Sequence, residues 1–110
     1  MKQTKPQDFT EEQYQTSQVF KALAHPARVA IIEYLLSVDT CICGDIVDVL
    51  PLAQPTVSRH LKELKNAGLI KGTIEGNTIC YCIDENMIGQ LINYFENISA
   101  KLDLKNQSCC

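Results

Sequence analysis

The residues QPTVSRHLKELKNAG, positions 54–68, decide the fold. On a helix that turns about 100° per residue, the apolar residues of this stretch fall in one sector about 60° wide, so we expect them to face a core. These residues are Val57, Leu61 and Leu64. Gly68 is the residue type that ends a helix just beyond its last turn. The stretch therefore predicts an amphipathic helix over residues 54–67.

Helical patterns precede this segment and an alternating pattern follows it. Thr10 and Gln13 have the spacing of a capping box, which marks the start of the first helix. Alternation on both sides of Gly76-Asn77 predicts a β-hairpin. The predicted elements are helices over about 10–24, 27–38, 45–50 and 85–102, and strands over 69–75 and 77–83. This order predicts a mainly α fold with a β-hairpin wing, a winged helix-turn-helix.

Length and composition exclude several classes of protein. The 110 residues are enough for one domain, and 45% of them are hydrophobic, so the chain can build a core. No apolar run approaches the roughly 18 residues of a membrane span, and residues 1–13 lack the apolar segment of a signal peptide. We therefore expect a soluble, cytoplasmic protein. Its predicted parts are a disordered start (1–8), one domain (9–102) and a flexible tail (103–110).

The charge is unevenly distributed along the chain. The net charge is -3, yet residues 54–77 carry four basic and two acidic side chains. A locally basic, polar helix face in an acidic chain is typical of an element that binds DNA in the major groove. The predicted DNA contacts are Gln54, Pro55, Thr56, Ser58, Arg59, Lys62, Lys65 and Lys71. A protein-interaction module that uses the same fold without DNA is the alternative.

Two histidines offer little for catalysis. His60 lies on the flank of the 54–67 helix and is expected to pack with a hydrogen bond to a backbone carbonyl. His25 precedes Pro26, where a capping or turn role is expected. Neither has a nucleophile at a spacing that suggests catalysis, so we do not expect an enzyme.

Six cysteines fall in three close pairs. In a reducing compartment this pattern favours metal or redox chemistry over a disulfide framework. Cys41 and Cys43 need an irregular backbone at the start of the short helix to converge on one ion, and Cys109 with Cys110 sit on a tail able to reach them. Cys80 and Cys82 are expected to face solvent, opposite Ile79, Tyr81 and Ile83, as a weaker candidate site.

The stretches KALAHPAR (21–28), CICGDI (41–46), QPTVSRHLKEL (54–64) and AGLI (67–70) resemble the ArsR/SmtB family of metal-sensing repressors. The resemblance runs from about residue 17 to residue 100. It implies a homodimer built on the first and last helices, which binds operator DNA without ligand and releases it when ligand binds. The last helix carries an apolar stripe that fits this pairing. The predicted dimer contacts are Val19, Phe20, Met87, Leu91, Phe95 and Ile98.

The effector suggested by the resemblance is a trivalent arsenical or antimonial. Arsenic-sensing members have a short helix like CVCDLC, whereas here Val47 stands at the third cysteine and Gly44 is an insertion. Trivalent arsenic takes three thiolates and a monomethylated arsenical takes two, so a third must come from elsewhere or is not needed. The family's other metal site uses Asp and His on the last helix, and residues 84–101 contain no histidine. A Cd/Pb sensor and a thiol redox or sulfide sensor remain alternatives.

Overall fold

The computed structural model describes residues 8–38, 41–43, 46–76 and 78–108. Its helices are α1 (Glu11–Leu23), α2 (Pro26–Ser37), α3 (Ile46–Val49), α4 (Gln54–Asn66) and α5 (Glu85–Ser108). Its strands are β1 (Ile42–Cys43), β2 (Ile70–Glu75) and β3 (Thr78–Ile83). The predicted order of a winged helix-turn-helix is confirmed.

Local sequence signals set the ends of the helices. The Thr10 hydroxyl accepts from the Gln13 amide and the Gln13 side chain accepts from the Thr10 amide, both at 3.0 Å, so the predicted capping box is present. His25 caps α2, because its Nδ1 accepts from the Ala27 amide at 3.0 Å. Gly68 has a φ of 81°, which glycine adopts without strain, and it lets the chain leave α4 for the wing.

The sheet has three antiparallel strands in the order β1-β3-β2. The hairpin of β2 and β3 is as predicted, although Asn77 of its turn lies outside the described residues. β1 was not predicted, since the start of a short helix was expected there. Instead Ile42 pairs with Tyr81, and Cys43 pairs with Cys80. A two-residue strand is too short to show alternation, so only the neighbouring strand reveals it.

The core lies where α1, α2, α3, α4 and β2 meet. It consists of Val19, Ala22, Ile31, Leu35, Ile46, Val57, Leu61, Leu64, Leu69 and Ile70. The expected inward face of α4 is confirmed. Val19, one of the predicted dimer contacts, is only 4% exposed and packs within this core, so little of its side chain is accessible to a second copy. On α2, Ile31 and Leu35 belong to the core, whereas Val29 and Leu36 are exposed.

α5 is longer than predicted. It continues to Ser108, so residues 103–108 form a helix where a flexible tail was expected. Cys109 and Cys110 lie outside the described residues, as does the predicted disordered start except Asp8. Although α5 has 24 residues, no helix in the described part of the chain is apolar enough over a sufficient length to cross a membrane.

Candidate nucleic-acid interface and thiol site

The polar face of α4 projects away from the core. Arg59 and Lys62 are exposed on it, while Val57, Leu61 and Leu64 anchor the opposite face. The structure also places the other predicted DNA contacts on this surface or at the start of the wing. Gln54, Pro55, Ser58, Lys65 and Lys71 are exposed and Thr56 is half-buried. α4 therefore exposes hydrogen-bonding groups and positive charges on one face, while its opposite face packs against the core.

His60 helps to fix α4 against the preceding helices. Its ring is 6% exposed, and its Nδ1 accepts from Arg28 Nε at 3.0 Å. Arg28 also donates through Nη1 to the Ala22 carbonyl at 3.2 Å, and the rings of His60 and His25 are 4.4 Å apart. His60 is therefore packed as predicted, but its partner is a guanidinium from α2 and not a backbone carbonyl.

This network makes the stability of the domain sensitive to acid. Burial lowers the pKa of His60, and the nearby charges of His25, Arg28 and Arg59 lower it further. The unfolded chain then binds this proton at a higher pH than the folded chain, because its histidine keeps an ordinary pKa near 6.5. Neutral His60 therefore contributes fully to the free energy of unfolding above the ordinary histidine pKa of 6.5. This contribution declines as the pH falls below that value.

We expect His60→Gln, which does not titrate, to reduce the loss of stability on acidification. Urea unfolding of both proteins at pH 7.5 and pH 5.5 measures this, at one fixed protein concentration. The wild type should lose more free energy of unfolding between the two pH values than the variant. Equal losses would show that His60 does not titrate in this range.

The second candidate site lies where β1 meets the wing. Cys41 and Cys82 are joined in a disulfide, with Cα atoms 4.7 Å apart. Cys43 is the cross-strand partner of Cys80, so the CxC motif at 41–43 lies directly opposite the one at 80–82. This proximity was not predicted from the sequence. Two motifs of equal spacing, one of them on a predicted strand, were the signal that could have suggested it.

The prediction that the wing cysteines face solvent is wrong. Cys80 is 2% exposed, with its Sγ 3.4 Å from Glu75 Oε2, and Cys82 is half-buried. Tyr81 and Ile83 do pack against the core as expected, but Ile79 is 42% exposed. β3 is the central strand of the sheet, paired with β1 along one edge and with β2 along the other.

The Cys41–Cys82 pair is open to small ligands. Both residues line a groove of about 510 Å³, together with apolar side chains that include Leu35 and Ile88, and Cys41 itself is exposed. Among the described residues, no three His, Cys, Asp or Glu side chains form a metal-binding group. Of the other predicted ligands, Cys109 and Cys110 lie outside those residues, and Cys43 is placed by its backbone register alone.

Comparison with known proteins agrees with this architecture. The profile of the family described as bacterial regulatory protein, arsR family, matches residues 25–71. An uncharacterized HTH-type transcriptional regulator of Methanocaldococcus jannaschii is 34% identical over 79% of this chain and 99% of its own length. A cadmium resistance transcriptional regulatory protein CadC homolog of Staphylococcus aureus is 37% identical over 69% of this chain, but the match spans only 63% of that protein.

A more distant relative and two solved structures extend the comparison. The arsenical resistance operon repressor of Staphylococcus xylosus is 28% identical, with 84% of this chain and 81% of that protein covered. An ArsR-like transcriptional regulator from a Rhodococcus species has a TM-score of 0.73 at 21% identity, covering 91% of this chain and 98% of that one.

A homodimeric winged helix-turn-helix DNA-binding domain from Mycobacterium bovis has a TM-score of 0.65 at 23% identity, covering 92% of this chain and 91% of that one. At these identities the two structures establish the shared fold. The family is established by the profile match and by the regulator from M. jannaschii. The chain thus belongs to the arsR family of bacterial regulatory proteins and is a transcriptional regulator, not an enzyme.

Proposed function

We propose that this regulator is a repressor that binds operator DNA as a homodimer and releases it when a trivalent arsenical or antimonial binds its cysteine thiolates. One observation carries the proposal. Cys43 lies on β1, which pairs with the wing and leads, two residues later, into α3, and Cys41 immediately precedes this strand and is bonded to Cys82 of the wing. Ligand binding at these thiols therefore affects the segment that connects the core to α4 and to the wing, the two elements proposed to contact DNA.

The DNA-binding part of the proposal rests on α4 and the wing. The exposed face of α4 presents Arg59 and Lys62 to the outside, and Lys71 extends the positive charge onto β2. Such a helix fits the major groove, where arginine reads guanine edges and lysines bind phosphates. The predicted contacts Gln54, Pro55, Thr56, Ser58 and Lys65 complete this surface.

The homodimer rests on an apolar surface shared by α1 and α5. Phe20 on α1 is exposed, and its ring lies 5.8 Å from Tyr94 and 5.9 Å from Phe95 of α5. Phe95 is 53% exposed, and Ile98 is exposed one turn further on. Met87 and Leu91 pack partly against the core and contribute less. A second copy of this surface is the expected cover, and the solved domain from M. bovis that shares this fold is described as homodimeric.

The proposed ligand follows from the chemistry of thiols. Arsenous acid reacts with three thiols to form three As–S bonds and three water molecules, with no change of oxidation state. Soft thiolates favour such ions over magnesium or calcium. Relatives described as a cadmium resistance regulator and an arsenical resistance repressor are consistent with a thiophilic effector. A Cd(II) or Pb(II) effector is the alternative that the cadmium-related relative favours.

Fluorescence anisotropy of the reduced protein on the DNA upstream of its own gene tests the proposal. Affinity should fall steeply with rising salt, because bound lysines and arginines displace counterions from phosphates. Arsenite, methylarsenite, Cd(II) and Zn(II) are then added separately. Release by arsenite supports the proposal, and release by Cd(II) alone supports the alternative. If affinity for DNA is weak and independent of salt, the repressor function is wrong.

A thiol redox switch is the second candidate, and the Cys41–Cys82 disulfide favours it. A peroxide would oxidise the two thiols to the disulfide while being reduced to water. Mild peroxide should then release the DNA, and a thiol reductant should restore binding. If arsenite also fails to release DNA under reducing conditions, the redox function is favoured over metalloid sensing.

A further inference from the structure

We propose that Cys82 of the wing supplies the third thiolate of the effector site, beside Cys41 and Cys43. The inference rests on the proposed function and specifies its ligand set. The third thiolate then comes from the same domain, and the bound ion connects β1 directly to β3.

The register of the sheet places the four central cysteines together. Cys43 is opposite Cys80, and Cys41 is near enough to Cys82 for their sulfur atoms to bond. Cross-strand neighbours in an antiparallel pair have Cβ atoms about 4.5–5.5 Å apart, within reach of one thiophilic ion. Reduction of the disulfide leaves two neighbouring thiols in a position to bind such an ion.

Exposure distinguishes Cys82 from Cys80. Cys82 is half-buried and lines the groove that it shares with Cys41, whereas Cys80 is 2% exposed and lies beside the carboxylate of Glu75. An ion arriving from solvent through the groove meets Cys41 and Cys82 first. Cys82 is therefore the expected ligand on β3.

The connection between β1 and β3 offers a route to the DNA-contacting surface. β1 leads into α3, which contacts α4, and β3 pairs along its whole length with β2, which follows α4 in the chain. An ion bound to both strands fixes the position of the wing relative to the start of the helix-turn-helix. The bound ion then constrains α3, which precedes α4, together with β2, which follows it. This constraint changes the position of α4 relative to DNA.

Cysteine-to-serine variants test the assignment, with anisotropy of the protein–DNA complex as the readout. Cys82→Ser should need at least about tenfold more arsenite for release than the wild type. Two controls should respond like the wild type: Cys80→Ser on the same strand and the double variant Cys109→Ser/Cys110→Ser. All variants must first bind DNA without arsenite as the wild type does, which shows that they fold.

Thiol alkylation of the wild type provides a measurement that needs no variant. Arsenite should protect Cys41, Cys43 and Cys82 from a maleimide, as read by peptide mass spectrometry, while Cys109 and Cys110 react at an unchanged rate. Protection of the terminal pair in place of Cys82, or unchanged arsenite response in Cys82→Ser, overturns the inference and leaves the proposed function standing. Absence of arsenite-dependent release in the wild type refutes the proposed function itself.

Discussion

Replacing Leu64 with alanine is expected to lower the free energy of unfolding by about 3–5 kcal/mol, the upper part of the range for a buried leucine. Leu64 is 0% exposed and belongs to the core between α4 and the helices behind it. Truncating its side chain leaves a cavity at the point where α4 packs against the core. The structure around it is held by α2, α1 and the wing, so it has little freedom to close that cavity.

Urea denaturation followed by circular dichroism measures the loss for Leu64→Ala, with protein concentration held constant because a dimer gains stability by mass action. Lys62→Ala is the matched control. It alters the same helix at an exposed position and should change stability by no more than about 0.5 kcal/mol. Comparable losses in both variants would contradict the placement of α4 against the core.

Replacing Arg59 with alanine is expected to weaken operator binding by about 5- to 150-fold, equivalent to about 1–3 kcal/mol for a bidentate contact with a base. Arg59 is exposed on the polar face of α4, where no core contact requires it. Folding should therefore be unaffected, and the loss should be greatest for the specific operator.

Anisotropy with operator and with unrelated DNA of the same length measures the effect of Arg59→Ala. Lys101→Ala removes the same charge from an exposed position on α5 and serves as the control. It should change operator affinity less than twofold. If the two variants weaken binding equally, Arg59 contributes only general charge, and α4 is not the reading element.

Most of the fold could be predicted because its signals are local. The apolar sector of Val57, Leu61 and Leu64 determines the orientation of α4, and Gly68 determines where it ends. β1 escaped prediction because two residues carry no periodicity of their own. The length of α5 was underestimated because polar residues after Leu102 looked like a tail, although they are compatible with an exposed helix.

The two candidate sites also differ in whether local sequence patterns predict them. The exposed residues of α4 follow from its amphipathic pattern, so the predicted DNA-contacting face could be located from the sequence. The opposition of Cys41 and Cys82 depends on strand pairing across 41 residues of chain, which no local pattern specifies. The hydrogen bond of His60 likewise depends on a long-range contact, because its partner Arg28 lies on another helix.

The affinity of the reduced protein for operator DNA, with and without arsenite, is the most direct test of the central claim that thiolate binding at β1 weakens DNA binding. The wild type should lose affinity by about 5- to 150-fold on saturation with arsenite, the range of a typical allosteric coupling. Cys41→Ser/Cys43→Ser should bind DNA normally and show a ratio near 1. The same loss in this variant, or none in the wild type, would contradict the claim.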